Sequence, residues 1–225
     1  GETAAEYHRV GTSTELETHL FDATTDYGVP TLYAVQTSQV DPELAQVVAA
    51  TCDIDPQRAL AKIYRELASL RIALRSHARG PRAQEIKGQD LTVVGGALAD
   101  AELSMRHVFD FLLEGERPVH ALDEIGTLGA SSAGTDGSDG PDPLEQVVAN
   151  LERAGAEAVV VDITTDEARQ VGMHVIKALI PEAMPLSFSH HARYLATPRL
   201  YEAPRAMGLT VHDEAGINPV RQPFA

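Results

Sequence analysis

The apolar positions of this chain change their spacing along the sequence, from short continuous runs to intervals of three and four residues. Short runs rich in β-branched and aromatic residues lie at 20–22, 31–35, 158–162 and 175–179. Such runs, bounded by threonine, aspartate, glycine or proline, are typical of strands. Because helical spacing separates them, the pattern predicts strands and helices in one fold of the α/β or α+β class.

The strongest helical signal follows Asp55 and Pro56, which are residue types favoured at a helix N-cap and at the first helical position. Beyond them, an apolar stripe of about five turns contains Leu60, Ile63, Leu67, Leu70 and Leu74. Weaker helical patterns cover 100–113 and 143–154. The second of these leads through a glycine into the strand predicted at 158–162.

Two parts of the chain resemble each other and predict a repeated unit. LFDATTD at 20–26 matches VVDITTD at 160–166, and GVPTLYAV at 28–35 matches GMHVIKAL at 172–179 after four additional residues. Each copy has an apolar run, a D-x-T-T-D turn and a second apolar run. A true repeat predicts two related sheet-and-helix units with Asp22 and Asp162 at equivalent positions, and the alternative is chance similarity between strand ends.

Residues 126–143 separate the two copies and contain almost no apolar side chains. Such a composition cannot bury enough surface to fold by itself. We therefore expect a mobile surface loop, which is either a plain tether or a segment that becomes ordered when substrate binds.

Composition restricts the possible functions. The chain has 225 residues, 44% of them hydrophobic, and a formal net charge of −15, which opposes binding to nucleic-acid phosphates. No apolar run is long enough to span a membrane and no signal-peptide pattern is present, so we expect a cytoplasmic protein that binds neither membranes nor nucleic acids. The only cysteine, Cys52, excludes an internal disulfide and is interpreted as a small buried packing residue.

One polar face of the helix predicted after Asp55 contains residue types that can hold a metal ion. Lys62, Glu66 and Ser69 are spaced by four and three residues, so they share a face opposite the leucines. A carboxylate suits Mg²⁺, and a hydroxyl one turn further on suits a ligand or water in its coordination shell. The simpler interpretation is a Lys/Glu pair on a solvated face. Arg71 lies about 140° around the helix from Glu66, so the two need not contact the same ligand atom.

The chain ends with NPVRQPFA, in which Pro219 and Pro223 favour an extended conformation. This ending is either a frayed terminus or a segment that enters a groove and places the carboxylate of Ala225 at a defined position.

Seven segments, taken in order, resemble the YcaO family and specifically its azoline-forming cyclodehydratases. They are FDATTDYGVPTLYAV, CDIDPQRALAKIYRELASLR, FDFLLEGE, VVVDITTD, HVIKALIP, PRLYEAPRAMG and NPVRQPF. The resemblance implies a YcaO-like fold in which 1–225 is the C-terminal part of a YcaO domain. Family members are longer, and their N-terminal ATP-contacting motifs are not found before Gly1. The chain therefore resembles either a fragment of a longer enzyme or a degenerate homologue.

The resemblance implies a site for ATP and Mg²⁺. It identifies Glu66 as the metal ligand and places Ser69 where the family usually has glutamine. Arg71 and Arg79 match family arginines of the nucleotide site, and Lys177 stands where an arginine near phosphate is expected. Lysine keeps the charge of that arginine but not its bidentate geometry.

The resemblance also implies a catalytic role for the ending. In azoline-forming members a P-x-P-x-P ending directs the C-terminus towards the active site. Pro219 and Pro223 match the outer prolines, Arg221 replaces the middle one, and Ala225 provides the terminal carboxylate.

The implied reaction converts cysteine, serine or threonine of a ribosomal precursor peptide to thiazoline or oxazoline. The side chain attacks the preceding amide carbonyl, ATP phosphorylates the resulting oxygen, and phosphate then leaves. The expected partners are this peptide, a separate E1-like or leader-binding protein, and a second copy of the chain in a homodimer. The alternatives are thioamide or amidine formation by the same activation, and a non-catalytic peptide-binding scaffold, which Ser69 favours.

Overall fold

A computed structural model describes residues 2–12, 14–80, 93–125, 142–187, 189–221 and 223, with side chains described from residue 5 onwards except that of residue 93. The strands are β1 (Leu16–Asp22), β2 (Thr31–Ser38), β3 (Gln46–Cys52), β4 (Val159–Asp162) and β5 (Ile176–Leu179). The α-helices are α1 (Glu2–Thr12), α2 (Pro56–Ala78), α3 (Val93–Asp100), α4 (Asp110–Leu113), α5 (Pro143–Arg153), α6 (Asp166–Gln170) and α7 (Arg199–Ala206). Short 3₁₀ helices cover Leu103–Phe109, Leu122–Ile125, His190–Ala192 and Glu214–Gly216. Helices combined with small antiparallel sheets confirm the predicted mixed class.

Strands β1, β2 and β3 form an antiparallel sheet with β2 in the centre. Because side chains alternate along a strand, Leu32 and Ala34 of β2 face one side while Tyr33 and Val35 face the other. The first side packs against α2, and the second packs against Phe109 at the end of a 3₁₀ helix. Burial of β2 on both faces accounts for its continuous apolar run.

Helix α2 begins where the sequence predicts. Asp55 is its N-cap, and the carboxylate accepts the backbone N–H of Gln57 at 2.8 Å. The predicted apolar stripe is confirmed, since three of its members are buried and two are half-buried against the same core: Ile63, Leu67 and Leu74, then Leu60 and Leu70. None of the described helices, α2 included, is long and apolar enough to cross a membrane.

The repeated sequence forms the same turn twice, between β1 and β2 and between β4 and β5. In each copy the aspartate accepts the N–H of the threonine two residues later, at 2.9 Å for Asp22 with Thr24 and 2.9 Å for Asp162 with Thr164. The hydroxyl of the same threonine accepts a second N–H, from Thr31 at 3.1 Å in the first copy and from Val175 at 2.9 Å in the second. Thr31 and Val175 are aligned in the two copies, at or just before the start of the second strand.

The two turns differ by the four residues that the second copy adds. Those residues are accommodated in α6, for which Thr165 is the N-cap, whereas the first copy closes with the N–H of Gly28 on Thr25 O at 2.8 Å. Gly28 and Gly172, aligned by sequence, both have positive φ, at 66° and 74°. The predicted repeat is therefore confirmed for the hairpins. Among the described residues, β3 has no counterpart beside β4 and β5.

The helix predicted at 100–113 is divided, which corrects that prediction. Helix α3 ends at Asp100, a 3₁₀ helix covers Leu103–Phe109, and α4 follows. The side-chain amide of Gln46 donates to the carbonyls of Asp100 and Glu102, both at 2.6 Å. These carbonyls would otherwise accept N–H groups of a continuing helix, so a tertiary contact ends α3.

Residues 126–141 of the loop predicted at 126–143 lie outside the described residues. The last two belong to the start of α5, where Asp142 is the N-cap and its carboxylate accepts the N–H of Leu144 at 2.9 Å. The helix predicted at 143–154 is thus confirmed, and Pro143 is its first residue as expected from its fixed φ.

The interpretation of Cys52 as a buried residue is wrong. Cys52 is the last residue of β3 and its thiol is exposed. Composition alone does not reveal that the cysteine lies at the exposed end of a strand.

Candidate functional site

Helix α2 presents two of the predicted ligands on its exposed face. The side chains of Glu66 and Ser69 are exposed, one turn apart, and make no hydrogen bond or ion pair with the rest of the described chain. Lys62 is directed away from Glu66, because its ammonium donates to Cys52 O at 2.7 Å and lies 3.5 Å from the carboxylate of Asp53. The interpretation as a simple Lys/Glu pair is therefore wrong, and the Glu66 carboxylate has no partner among the described residues.

The guanidinium of Arg71 forms three hydrogen bonds to acceptors of the protein. Its Nε donates to Gln36 Oε1 at 2.6 Å, Nη1 to Leu44 O at 2.9 Å and Nη2 to Gln36 O at 3.2 Å. Burial lowers the pKa of Arg71 to about 10, although the Asp41 carboxylate opposes that shift, so the side chain is charged at neutral pH. These bonds fasten α2 to β2 and engage donors that a phosphate would need.

Arg79 follows the last residue of α2 and lines an open cavity of about 670 Å³ together with Arg71 and Arg75. Arg75 forms an ion pair with Asp41. The exposed side chain of Arg79 makes no ion pair within the described part of the chain. From residue 66 to residue 79 an α-helix rises about 20 Å, so Arg79 and Glu66 cannot contact one phosphate group.

Lys177 lies on β5, opposite Val161 of β4, with its side chain exposed. It has no hydrogen-bond or ion-pair partner among the described residues. Neither Lys177 nor Glu66 lines the cavity of about 670 Å³ beside Arg79 or the cavity of about 10 Å³ beside Leu70. A cleft shared by these two residues therefore stays a prediction.

The C-terminal segment packs on the core near α2. Pro223 is half-buried and lines a small cavity of about 10 Å³ with Leu70, Leu74 and Phe109. Leu70 follows Glu66 by about one helical turn, so this part of the ending lies against the helix that carries the predicted metal ligand. A frayed terminus does not describe Pro223, which packs against the core.

Pro219 and Ala225 are the other two residues predicted to act in catalysis. Pro219 is exposed, and Ala225 lies outside the described residues. The catalytic role of Pro219, Pro223 and Ala225 stays a prediction.

A buried polar cluster beneath the ending has no signal in the sequence. The side chain of Asp100 is 1% exposed, and it accepts a hydrogen bond from Arg221 Nε at 3.1 Å. Burial raises the pKa of Asp100, while Arg221 and His190 oppose the increase. In the described chain, Asp100 Oδ2, Gln46 Oε1 and His190 Nδ1 are buried without a partner. The one sequence feature connected with this cluster is Arg221 itself, which stands where the family pattern has a proline.

A second unpredicted cluster joins α7 to the first D-x-T-T-D turn. Arg199 forms an ion pair with Asp26, the last residue of that turn, with Nη1 at 3.1 Å from Oδ2. The same guanidinium lies over the ring of Tyr27, 3.7 Å from its centre. The partners are separated by 173 residues, so no local pattern could indicate the contact.

The donor set suits Mg²⁺ only in part. No group of three or more His, Cys, Asp or Glu side chains within the described ranges is placed to hold a metal ion. Mg²⁺ usually keeps several waters and binds one or two carboxylates together with phosphate oxygens. Glu66 with Ser69 fits such a shared site, and does not fit a metal site built from protein ligands alone.

Comparisons with known proteins point to one family. The sequence model of the family described as YcaO cyclodehydratase, ATP- and Mg²⁺-binding, matches residues 2–184. A heterocyclase in complex with substrate and cofactor is similar over 98% of this chain, with a TM-score of 0.61 and 18% identity. The heterocyclase TruD is similar over 98%, with a TM-score of 0.64 and 19% identity.

These structural similarities concern the fold. The chain covers 26% and 27% of the two heterocyclase chains, so it spans about a quarter of their length. The helices and small antiparallel sheets of this chain are therefore found within much larger proteins. No curated protein sequence matches the chain.

Proposed function

Because this chain belongs to the YcaO family, as its sequence predicted, we propose that it forms part of an ATP-dependent cyclodehydratase. The proposed reaction converts cysteine, serine or threonine of a ribosomal precursor peptide to thiazoline or oxazoline. The observation that carries this proposal is the family match over residues 2–184. The matched region includes α2, on which Glu66 is an exposed carboxylate with no partner in the described chain.

Each proposed ligand has a distinct task at the nucleotide. Glu66 would hold Mg²⁺, and the Ser69 hydroxyl would bond a water or phosphate oxygen of its coordination shell. Arg79 and Lys177, which have exposed cationic side chains, would bind phosphate oxygens at separate places. Arg71 would act on the phosphates through its positive charge and not by direct contact, because its donors bond Gln36 and Leu44. When bound, Mg²⁺ would neutralise charge that develops on the transferred phosphoryl group.

The chemistry requires no nucleophile from the protein. An amide oxygen is a poor leaving group, and phosphorylation converts it to a good one. The attacking thiol or hydroxyl belongs to the peptide, so the protein must orient the peptide, bind the phosphates and exclude water.

The proposed partners follow from the same family assignment. A separate E1-like or leader-binding protein that presents the precursor peptide is proposed from the family resemblance. A homodimer is proposed from the resemblance alone.

The proposal is tested with Glu66→Ala in the complete enzyme. We expect azoline formation to fall by about 100-fold or more, as for loss of a group that stabilises transition-state charge. Mass spectrometry of the peptide measures the reaction as loss of one water per ring. Since alanine is a better helix former than glutamate, the thermal unfolding midpoint should not fall.

Glu152→Ala on α5 is the matched control, because Glu152 is also an exposed helical glutamate. It should leave turnover unchanged, whereas full turnover in Glu66→Ala would contradict the role of Glu66. Mg²⁺-dependent ATP affinity of the unmodified enzyme separates the proposal from a non-catalytic scaffold, which should bind no nucleotide.

A further inference from the structure

Asp100 is a buried carboxylate for which the proposed chemistry has no use. Its side chain is 1% exposed, and its ion-pair partner Arg221, which is 31% exposed, belongs to the C-terminal segment. The two residues are 121 positions apart in sequence. A buried charge is costly unless an opposite charge and hydrogen bonds compensate it, so removing either partner should release or destabilise the other.

The surroundings hold Asp100 in place. Gln46 of β3 donates its side-chain amide to the backbone carbonyls of Asp100 and Glu102, both at 2.6 Å. Asp100 and Gln46 each have a buried side-chain oxygen without a partner among the described residues, and both residues line the cavity of about 10 Å³. This volume is roughly the space of one water molecule. His190 is the other titratable group that acts on this carboxylate. The carboxylate therefore offers a fixed attachment point on the core.

Contacts on both sides of Arg221 define the path of the ending. Arg193 Nη1 donates to Asn218 O at 2.8 Å, and the side chain of Asn218 accepts the N–H of Val220 at 2.9 Å. Beyond Arg221, Pro223 packs at the cavity beside α2. The segment is thus attached at successive points rather than at its last residue alone.

We propose that Asp100 is a positioning residue, which through Arg221 fixes the path of the C-terminal segment across the core. Arg221 stands at the middle position of the P-x-P-x-P pattern, where a proline would restrict φ by its ring. Here an ion pair to a buried carboxylate supplies the restriction that the missing proline does not. The consequence for catalysis, namely a defined position for the terminal carboxylate, rests on the proposed function.

Amide hydrogen exchange across 217–221 measures the attachment directly. We expect Arg221→Gln to accelerate exchange in this segment by about tenfold or more, since it leaves the charge of Asp100 without its partner. Arg221→Lys, which keeps the charge but not the Nε geometry, should give a smaller acceleration. Arg205→Gln is the matched control, because Arg205 lies at the exposed end of α7 without a side-chain partner among the described residues.

Asp100→Asn should accelerate exchange in the same segment, and the double variant Asp100→Asn/Arg221→Gln should add little to either change, because both remove one interaction. Exchange in α5 serves as the test of folding and should be unaffected. Unchanged exchange in Arg221→Gln would overturn the proposal whatever its activity.

In the complete enzyme, Arg221→Gln should lower kcat for azoline formation by about tenfold or more while KM for ATP stays within about twofold. Loose attachment with unchanged kcat would overturn the positioning role. If the unmodified enzyme formed no azoline, the proposed function would fail while the exchange result still decided whether Asp100 anchors the ending.

Discussion

The sequence predicts Arg71 and Arg79 as cations of one nucleotide site, yet their surroundings differ. Arg71 donates to Gln36 and Leu44, and burial lowers its pKa to about 10. Arg79 is exposed at the end of α2. Sequence position therefore identifies two candidate cations, and only their contacts separate one that supports the fold from one available to a ligand.

Asp41 stabilises the connection between β2 and β3 in a pH-dependent way. Burial raises its pKa, but N–H groups of Leu44 and Glu43 and the charge of Arg75 outweigh burial, so the pKa lies below its usual value of 3.8. A carboxyl with a lowered pKa stabilises the fold fully above its unfolded value. This contribution is lost as the pH falls below 3.8 and through the lowered pKa of the folded state.

We expect Asp41→Asn to lower the free energy of unfolding at pH 7 by about 1 to 2 kcal/mol, since the variant loses a capping carboxylate and an ion pair. Urea unfolding at pH 7 and at several values below pH 4 checks this. The variant should lose less stability than the unmodified protein on acidification. Glu43→Gln, an exposed neighbour, is the control, and an equal acid response of the Asp41 and Glu43 variants would contradict the assignment.

Helix α2 depends on packing more than on its intrinsic helix propensity. Two isoleucines on the same helix provide a matched comparison, because Ile63 is fully buried and Ile72 is 75% exposed. Ile63→Ala should lower the free energy of unfolding by about 2 to 5 kcal/mol, from lost burial and the remaining cavity. Ile72→Ala should change it by no more than about 0.5 kcal/mol. Similar values for both in urea titrations would show that α2 does not pack as described.

The two hairpins share a sequence pattern but differ in burial, because different elements pack against them. The turns share their hydrogen bonds, but β2 is largely buried between two layers while every residue of β4 and β5 is exposed. Turn geometry depends on Asp, Thr and Gly within a few residues of each other. Burial of the first hairpin depends on β3 and α2, which pack against β2, whereas β4 and β5 form a sheet of two strands in the described part of the chain.

At the scale of the whole molecule, the segment beyond the family match is attached to the matched part by charged contacts. Arg199 pairs with Asp26 in the first hairpin turn, and Arg221 pairs with Asp100 at the end of α3. Arg199 and Arg221, two of the described arginines after residue 184, therefore contact the matched part although they lie outside the match.

Deletion of residues 223–225 from the complete enzyme should lower azoline formation by about 100-fold while ATP affinity changes by less than about threefold. The truncation displaces the terminal carboxylate by up to ~10 Å at about 3.1 Å per extended residue, and such misplacement severely impairs positioning. Mass spectrometry and nucleotide titration on the same preparations give both values. Equal activity would show that the ending takes no part in the chemistry and would favour thioamide or amidine formation, or a scaffold.

The sequence by itself determined the features that depend on residues close together along the chain. The cap and apolar stripe of α2, the start of α5 and the paired hairpin turns involve groups within a few residues of each other. Such interactions leave a recognisable spacing, because helices and turns have regular geometry. Seven ordered segments also sufficed to identify the family.

Tertiary structure decided the rest. It ended α3 through Gln46, exposed Cys52, directed Lys62 away from Glu66 and joined Asp100 to Arg221. In each case the outcome depends on which distant element supplies an acceptor, a charge or a covering side chain. A buried ion pair between residues 121 positions apart has no period or spacing that the sequence could reveal, because only folding brings its partners together.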